Sequence, residues 1–544
     1  MNSLHRYAIT ACCVGCLFAA VPWAQEATTP RPTGVPQDWS DHSIVFTLDG
    51  LMQHPELVSQ EPRILHQLAR RFSARGSNVS HGEGTDPAQL GSSKAPHRDW
   101  NYSLGNSHIA PEMFPAKYGF DPSAQPSCQN DFVVFGLNTA GVTGGQANLV
   151  GLNDLYSAPG GGPCGTSPSV MFAYNTTTAT GGKISTSPVI SLDGTKIAFV
   201  ENAGTSSVFH VLTFTPGQGG ISNAFAPTAM ASVTYSDVKG TSTSSPWIDY
   251  GADIAYVADD GGTLHKFTGV FKGTPTEDRT LPWPVLVAAG TRLTAPVLDK
   301  GRGSILIGGR NGDLYEVNIA NGGVSALIVG AHGGLDAGLF APPIVDVSQG
   351  TAFVVSANDG NTAVLVQVDT TTFTQLAKAQ LGIGAAGPLK NDVTLFLPAL
   401  DNAYYTDPNS GTIYSCGTGA DDSTPWQYSF GFTGRTMLTT PLSSSQLLTS
   451  TTARCTSWTE FFNPNVGANG TDFFFFGLTQ DCSGTTGCVA ARTDSSATLK
   501  TALVKGGPSG IVVDNFSTAP QASNIYLSGE STNTAYKFSQ NGLN

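Results

Sequence analysis

Charge is what this chain has least of. Of its 544 residues, Lys and Arg number 27, Asp and Glu 40, and together they make up 12%, against about 25% in an average soluble domain. That shortage, with 40% hydrophobic residues, excludes a disordered polyelectrolyte and a coiled coil. The formal net charge of −13 lacks the basic footprint that phosphate backbones demand, so nucleic acid is not an expected partner. Long apolar runs are scarce as well. Phe473–Phe476 is dense but strand-sized, and no stretch reaches the ~20 residues of a spanning helix.

Catalytic motifs are missing too. No Gly-x-Ser-x-Gly sits on a strand-to-helix elbow. Gly181-Gly182-Lys183 has neither the spacing nor the following hydroxyl residue of a phosphate loop. Zinc wants close Cys or His pairs; the chain beyond its first residues has none, and His42, His54, His66, His81, His97 and His108 are scattered. No metal and no cofactor are expected.

The N-terminus reads as an export signal over residues 1–25: Arg6, an apolar run from Ala8 to Ala20, and small residues leading to a cut near Ala24. Cysteine usage agrees. Beyond Cys12, Cys13 and Cys16 the remaining cysteines are Cys128, Cys164, Cys416, Cys455, Cys482 and Cys488. An even number in an exported chain points to disulfides, with 15 pairings open. Closeness favours Cys482–Cys488, Cys416–Cys455 and Cys128–Cys164, the first across a Ser-Gly-Thr-Thr-Gly hairpin turn.

Residues 26–98 are expected to form an N-terminal extension with one helix near 61–75. Pro62 suits the first turn and Gly76 the stop; Ile64, Leu65, Leu68 and Phe72 share an apolar face, with Arg63, Arg70 and Arg71 on the polar side.

From residue 99 to 544 a three-part unit recurs. It opens with Pro, two apolar residues and Asp: Pro246-Trp247-Ile248-Asp249, Pro296-Val297-Leu298-Asp299, Pro343-Ile344-Val345-Asp346 and Pro398-Ala399-Leu400-Asp401, with a looser Ile511-Val512-Val513-Asp514. A short β-rich run follows, starting at Phe132, Ile197, Ile254, Ser304, Ala352, Ala403, Phe473 and Ile525, 48 to 70 residues apart. A Gly turn then leads to a strand with an aromatic or His second, as in Leu264-His265-Lys266-Phe267, Leu314-Tyr315-Glu316-Val317 and Ile413-Tyr414-Ser415-Cys416. Asp260-Gly261 and Asn311-Gly312 supply the positive φ of tight hairpins. Each unit is a small sheet with two apolar faces and cannot hide both alone. Radial stacking of sheets solves that problem. The expected fold is all-β: a β-propeller of eight blades, with seven as the alternative, closed by a strand at Trp100–Leu104 pairing in the last blade.

The units resemble those of secreted bacterial propellers of the quinoprotein-like (PQQ-like) kind, closest in Ala295–Asp299 followed by Ile305–Val317; Ser187–Phe199 is similar to the TolB-type repeat. The resemblance implies an exported propeller. Quinone-dependent members carry Trp after the strand, in Thr-Gly-x3-Trp, and this chain has Asn321-Gly322-Gly323 followed by Val-Ser-Ala.

The recurring Asp residues are expected to cap their own turns, and Trp247, Trp283 and Trp426 to pack between blades. Two function classes remain. The first is a non-catalytic propeller, monomeric, secreted or periplasmic, that binds a protein, glycan or cell-envelope component on one rim. The alternative is a lyase or hydrolase acting on a polysaccharide or exported metabolite. His210, His265 and Glu316 take comparable places in their units and are the candidates for catalytic work; an enzyme should gather such groups at the central channel.

Overall fold

The structure, a computed structural model, describes residues 34–540 apart from 73–94, 121–125, 205, 236–240, 331–337, 361, 383–396, 420–423, 465, 468, 495 and 515–522. The export signal, Gly76 and His81 lie outside the described residues. Eight sheets, antiparallel except for one added parallel strand, follow one another along the chain and form an eight-bladed propeller.

The blades are held by the contacts that two-faced apolar sheets require. Phe132 and Phe172 of the first blade share a cluster with Ile197 and Phe199 of the second. Phe209 of the second stacks on Phe267 of the third at 4.5 Å. Tyr414 of the sixth meets Phe474 of the seventh at 4.3 Å. The β-rich runs are buried along their length, as in Ser304–Gly308 and Phe132–Gly136. The last blade is completed by an early strand: His97–Ser103 pairs with Thr534–Ser539, so Trp100 sits opposite Lys537. The ring therefore closes where the Trp100–Leu104 expectation placed it.

The recurring Asp residues cap turns. The Asp249 carboxylate accepts from the N–H groups of Gly251 and Ala252 at 3.0 Å each. Asp346 accepts from Ser348 and Gln349 at 3.1 and 3.0 Å. Asp514 departs from the pattern and meets the Lys117 ammonium at 2.6 Å, both side chains fully buried.

Two expectations need correction. Ala403–Tyr405 is not a strand but part of a helix, Asn402–Thr406, capped by the Asp401 side chain on Tyr404 N–H. The Ile413–Cys416 segment is consequently the second strand of its blade, in Thr412–Thr418, paired with Ala399–Leu400. The reason is packing: Tyr404 turns inward against Phe353 and Phe432 of the neighbouring rings and bonds Asp346 at 3.0 Å. The second correction concerns the helix Pro62–Phe72. Leu65 is 47% exposed, while Arg63 and Gln67 are buried beside Ile64. The helix turns its Arg63–Gln67–Arg71 stripe inward beside Ile64, because Glu61, the Ile44 and Ile248 carbonyls and Glu460 accept from it there.

Gly34–Gln37 adds a strand to the inner edge of the first blade, along Ala116–Phe120. Ile44–Val45 adds one, in parallel, to the inner edge of the fifth, along Ile344–Asp346. Blades one and five face each other across a ring of eight, so residues 34–45 cross the central channel.

Candidate functional site

The axial channel is where a propeller brings loops from every blade together, so it is the first place to look for chemistry. Here it is filled by the chain itself. Trp39 is buried and meets Trp247 edge-on at 5.8 Å. His42 stacks on Phe114 at 5.4 Å. Arg63 lies over the Trp247 and Tyr250 rings at 4.4 and 4.8 Å, donates to the Ile248 carbonyl at 3.1 Å, and pairs with Glu61 at 3.1 Å. Thr47 N–H donates to Ser348 Oγ at 2.8 Å. Arg71 reaches Asn402 at 2.8 Å and Glu460 at 2.8 Å. Blades three, five, six and seven are thereby tied to one segment.

Among the described residues, two small cavities border this segment. One cavity, beside Gln67, Arg71 and Trp458, holds about 40 Å3. A second, lined by Trp39, Glu112, Phe114, Ser245 and Ser457, holds about 50 Å3. Small-molecule sites usually span ~300–1,000 Å3.

Glu112, which lines the second cavity, belongs to a carboxyl pair that sequence reasoning missed. Glu112 N–H donates to Glu530 Oε1 at 2.6 Å, and Glu112 holds a left-handed φ of 65°. Burial, then the charge of Glu530, pushes the Glu112 carboxyl well above the usual range; burial raises Glu530 to about 7. Such a pair can share a proton. No motif could have revealed it, since the residues lie 418 apart.

The three sequence candidates are not gathered. His210, His265 and Glu316 sit on the third strands of blades two, three and four. His265 Nδ1 meets Glu277 at 2.7 Å and Nε2 meets Asp259 at 3.5 Å. Burial opposes its charge, but the hydrogen bonds to Asp259 and Glu277 outweigh it and raise the pKa. Glu316 faces Arg302 at 3.5 Å. His210 is fully buried; its Nε2 meets Glu201 at 2.9 Å and its Nδ1 meets Ser232 Oγ at 2.9 Å. Burial lowers the His210 pKa. Glu201 would be raised by burial, but hydrogen bonds from His210 and Thr178 hold it below the usual value. A neutral imidazole thus lies between an ionised carboxylate and a hydroxyl. Trp247 and Trp283 are buried and Trp426 is half-buried.

The cysteines are bonded as Cys128–Cys164, Cys416–Cys455 and Cys482–Cys488, with Cα separations of 5.5, 6.2 and 5.9 Å. Among the described residues, the one His/Cys/Asp/Glu group close enough to hold a metal consists of Cys128, Asp154 and Cys164, and its two thiols are already joined.

No protein-family model and no curated protein matches the chain. Similar solved structures are BamB from Moraxella catarrhalis, at 14% identity over 81% of this chain and 99% of that one, with a TM-score of 0.43; the Dos1 propeller, at 13% over 83% and 95%, with 0.44; and the WD40 domain of Toxoplasma gondii coronin, at 11% over 63% and 78%, with 0.39. At these values the fold assignment rests on the chain's own eight sheets.

Proposed function

We propose that the chain is an exported, monomeric β-propeller that binds a protein, glycan or cell-envelope component on one rim, and that its axial channel does no chemistry. The observation that carries this reading is the filled channel: residues 34–45 add strands to opposite blades and leave cavities of about 40 and 50 Å3. Recognition then falls to the outside. Supporting it, Leu281 is 96% exposed, Leu286 61% and Ile328 57%, all on blades three and four. Trp283, buried close to Leu281 in the chain, meets the Tyr256 ring at a tilt, 5.6 Å between centroids, and anchors that loop. Rigid apolar anchors on a polar surface suit an interface. Three disulfides are compatible with an oxidising compartment. Among the described residues no helix is long and apolar enough to cross a membrane.

The test is a retention assay of the purified chain on immobilised glycans and envelope fractions. The expected outcome is one retained class, weakened at least ~10-fold by Leu281→Asp with Ile328→Lys. No retention on any fraction, or retention indifferent to those changes, contradicts rim binding by this patch. The enzyme reading has one observation in its favour, the Ser232–His210–Glu201 row.

A further inference from the structure

We propose that Ser232, His210 and Glu201 act as nucleophile, base and orienting carboxylate, and that blade two hydrolyses small uncharged carboxylic esters at its outer strand. The inference goes beyond rim binding and does not depend on it.

The row is built by strand register. Lys196–Asn202, Ser207–Thr213 and Met230–Tyr235 are neighbours in one antiparallel sheet. His210 stands opposite Phe199 on one side and opposite Ser232 on the other. Glu201, two residues beyond Phe199, projects from the same face. Thr213 N–H donates to Ala229 O at 2.8 Å. Bonded and non-bonded pairs alternate from there, which makes His210 and Ser232 a non-hydrogen-bonded pair, the kind whose side chains approach most closely. The same alternation turns the Ser232 N–H away from its partner strand, toward the outer edge of the sheet.

Each member is in the state its role needs. The Glu201 carboxylate accepts from Thr178 N–H at 2.9 and 3.1 Å and from the Thr178 hydroxyl. A Cβ at Gly182 would strike that carboxylate, so the close approach of the glycine backbone pins it. An ionised Glu201 accepts the Nε2 proton of His210 and fixes the tautomer. Nδ1 is then the free lone pair, and it faces the Ser232 hydroxyl at 2.9 Å. His210 is fully buried while Ser232 is exposed: the base is shielded and the nucleophile meets solvent. This is the hydrogen-bonded nucleophile, base and orienter arrangement that activates serine.

The step balances without a further reagent. Ser232 Oγ attacks the acyl carbon and its proton passes to Nδ1, while the carbonyl electron pair moves to oxygen beside the outward Ser232 N–H. Collapse expels the alkoxide, which leaves as alcohol with the proton from Nδ1. Water then attacks the acyl-Oγ ester, gives a proton to Nδ1 and on to Ser232 Oγ, and releases the carboxylic acid. Half-buried Met230, on the same face two residues before Ser232 and packed on the cluster of Phe199 and Leu212, offers the acyl group a small apolar flank. That flank is a single side chain, which suits a short apolar acyl group.

The test uses the full chain with a fluorophosphonate probe, which loses fluoride as an Oγ–P bond forms, and with p-nitrophenyl acetate. The expected result is one adduct, mapped by peptide mass spectrometry to Ser232, and ester hydrolysis above the buffer rate. Ser232→Ala should abolish both. His210→Gln and Glu201→Gln should slow both by about 100-fold or more. Should His210→Gln fail to fold, Thr178→Ala, which removes one bond to Glu201, and the exposed Ser232→Ala carry the comparison. A folded wild-type chain that takes no probe, an adduct on another residue, or wild-type hydrolysis by Ser232→Ala overturns the proposal and leaves the row a structural contact. Glycan or envelope retention by Ser232→Ala reports on rim binding separately.

Discussion

A buried carboxylate in this fold bonds backbone N–H groups, and blades three to six each use the Asp of the unit for that. Asp346 is fully enclosed and bonded to Ser348, Gln349 and the Tyr404 hydroxyl. Asp346→Ala leaves those donors unpaired in the interior, and the expected cost is about 1–3 kcal/mol, read as a lower urea midpoint. The same burial has a pH signature. It raises Asp38, with help from the charge of Asp41, to about 6; it raises Asp299 and Asp346 to about 6 and Glu530 to about 7. Unfolded carboxyls titrate near ~4. Between those values the folded chain holds protons that the unfolded chain has lost, so stability falls as pH rises through that window. His265, raised, acts in the same sense, and His210, lowered, in the opposite one. The melting temperature is expected to be higher at pH 5 than at pH 8; a profile that rises across that range contradicts these assignments.

At the level of the element, the helix Pro62–Phe72 shows how tertiary partners overrule an apolar stripe. Amphipathic periodicity alone puts Leu65 inside. Packing puts Arg63 inside, because its charge is met by Glu61, two aromatic faces and a carbonyl. Two alanine substitutions separate these readings. Ile64→Ala, at 0% exposure, is expected to cost about 2–4 kcal/mol, and Leu65→Ala no more than about 0.5, in matched denaturant titrations. The helix Asn402–Thr406 follows the same logic. Its Asp401 cap satisfies the Tyr404 N–H, and Tyr404 then fills a gap that a strand at that place would leave open.

For the whole molecule, closure is the problem that sets stability. Buried charges stand at the closure: Lys117 of the first blade meets Asp514 of the last at 2.6 Å, and within the last blade Lys537 meets Asp99 of the early strand at 3.3 Å. Burial lowers Lys537 to about 8. Ion pairs of this kind are costly to break from one side, about 3–5 kcal/mol, and they specify which strands meet. Asp99→Ala should therefore open the ring at that seam, seen as early hydrogen exchange in His97–Ser103 and Thr534–Ser539 before the other blades. Cys416 and Cys455 tie the sixth blade to the seventh across 39 residues. Replacing both by Ser is expected to lower stability by about 2–4 kcal/mol, measured by chemical denaturation under non-reducing conditions.

The residues alone determined the repeating unit, the turn-capping Asp of its Pro-led copies and the strand that closes the ring, and they left the number of blades between eight and seven. Those features depend on neighbours a few positions apart: alternation of side chains, Gly turns with positive φ, and carboxylates reaching N–H groups two or three residues on. The hairpin of Cys482 and Cys488 is local in the same way. What fills the axis was decided elsewhere. Nothing near Ile44 announces Val345, some 300 residues later, as its strand partner, and nothing near Glu112 announces Glu530. The Ser232–His210–Glu201 row lies between these cases: His210 stood out by its place in the unit, but its partners follow from the register of three strands, and a shift of one residue would turn the side chains of a strand to the other face. Only the packed ring sets that register, because only there does each blade have a neighbour to cover the face it buries.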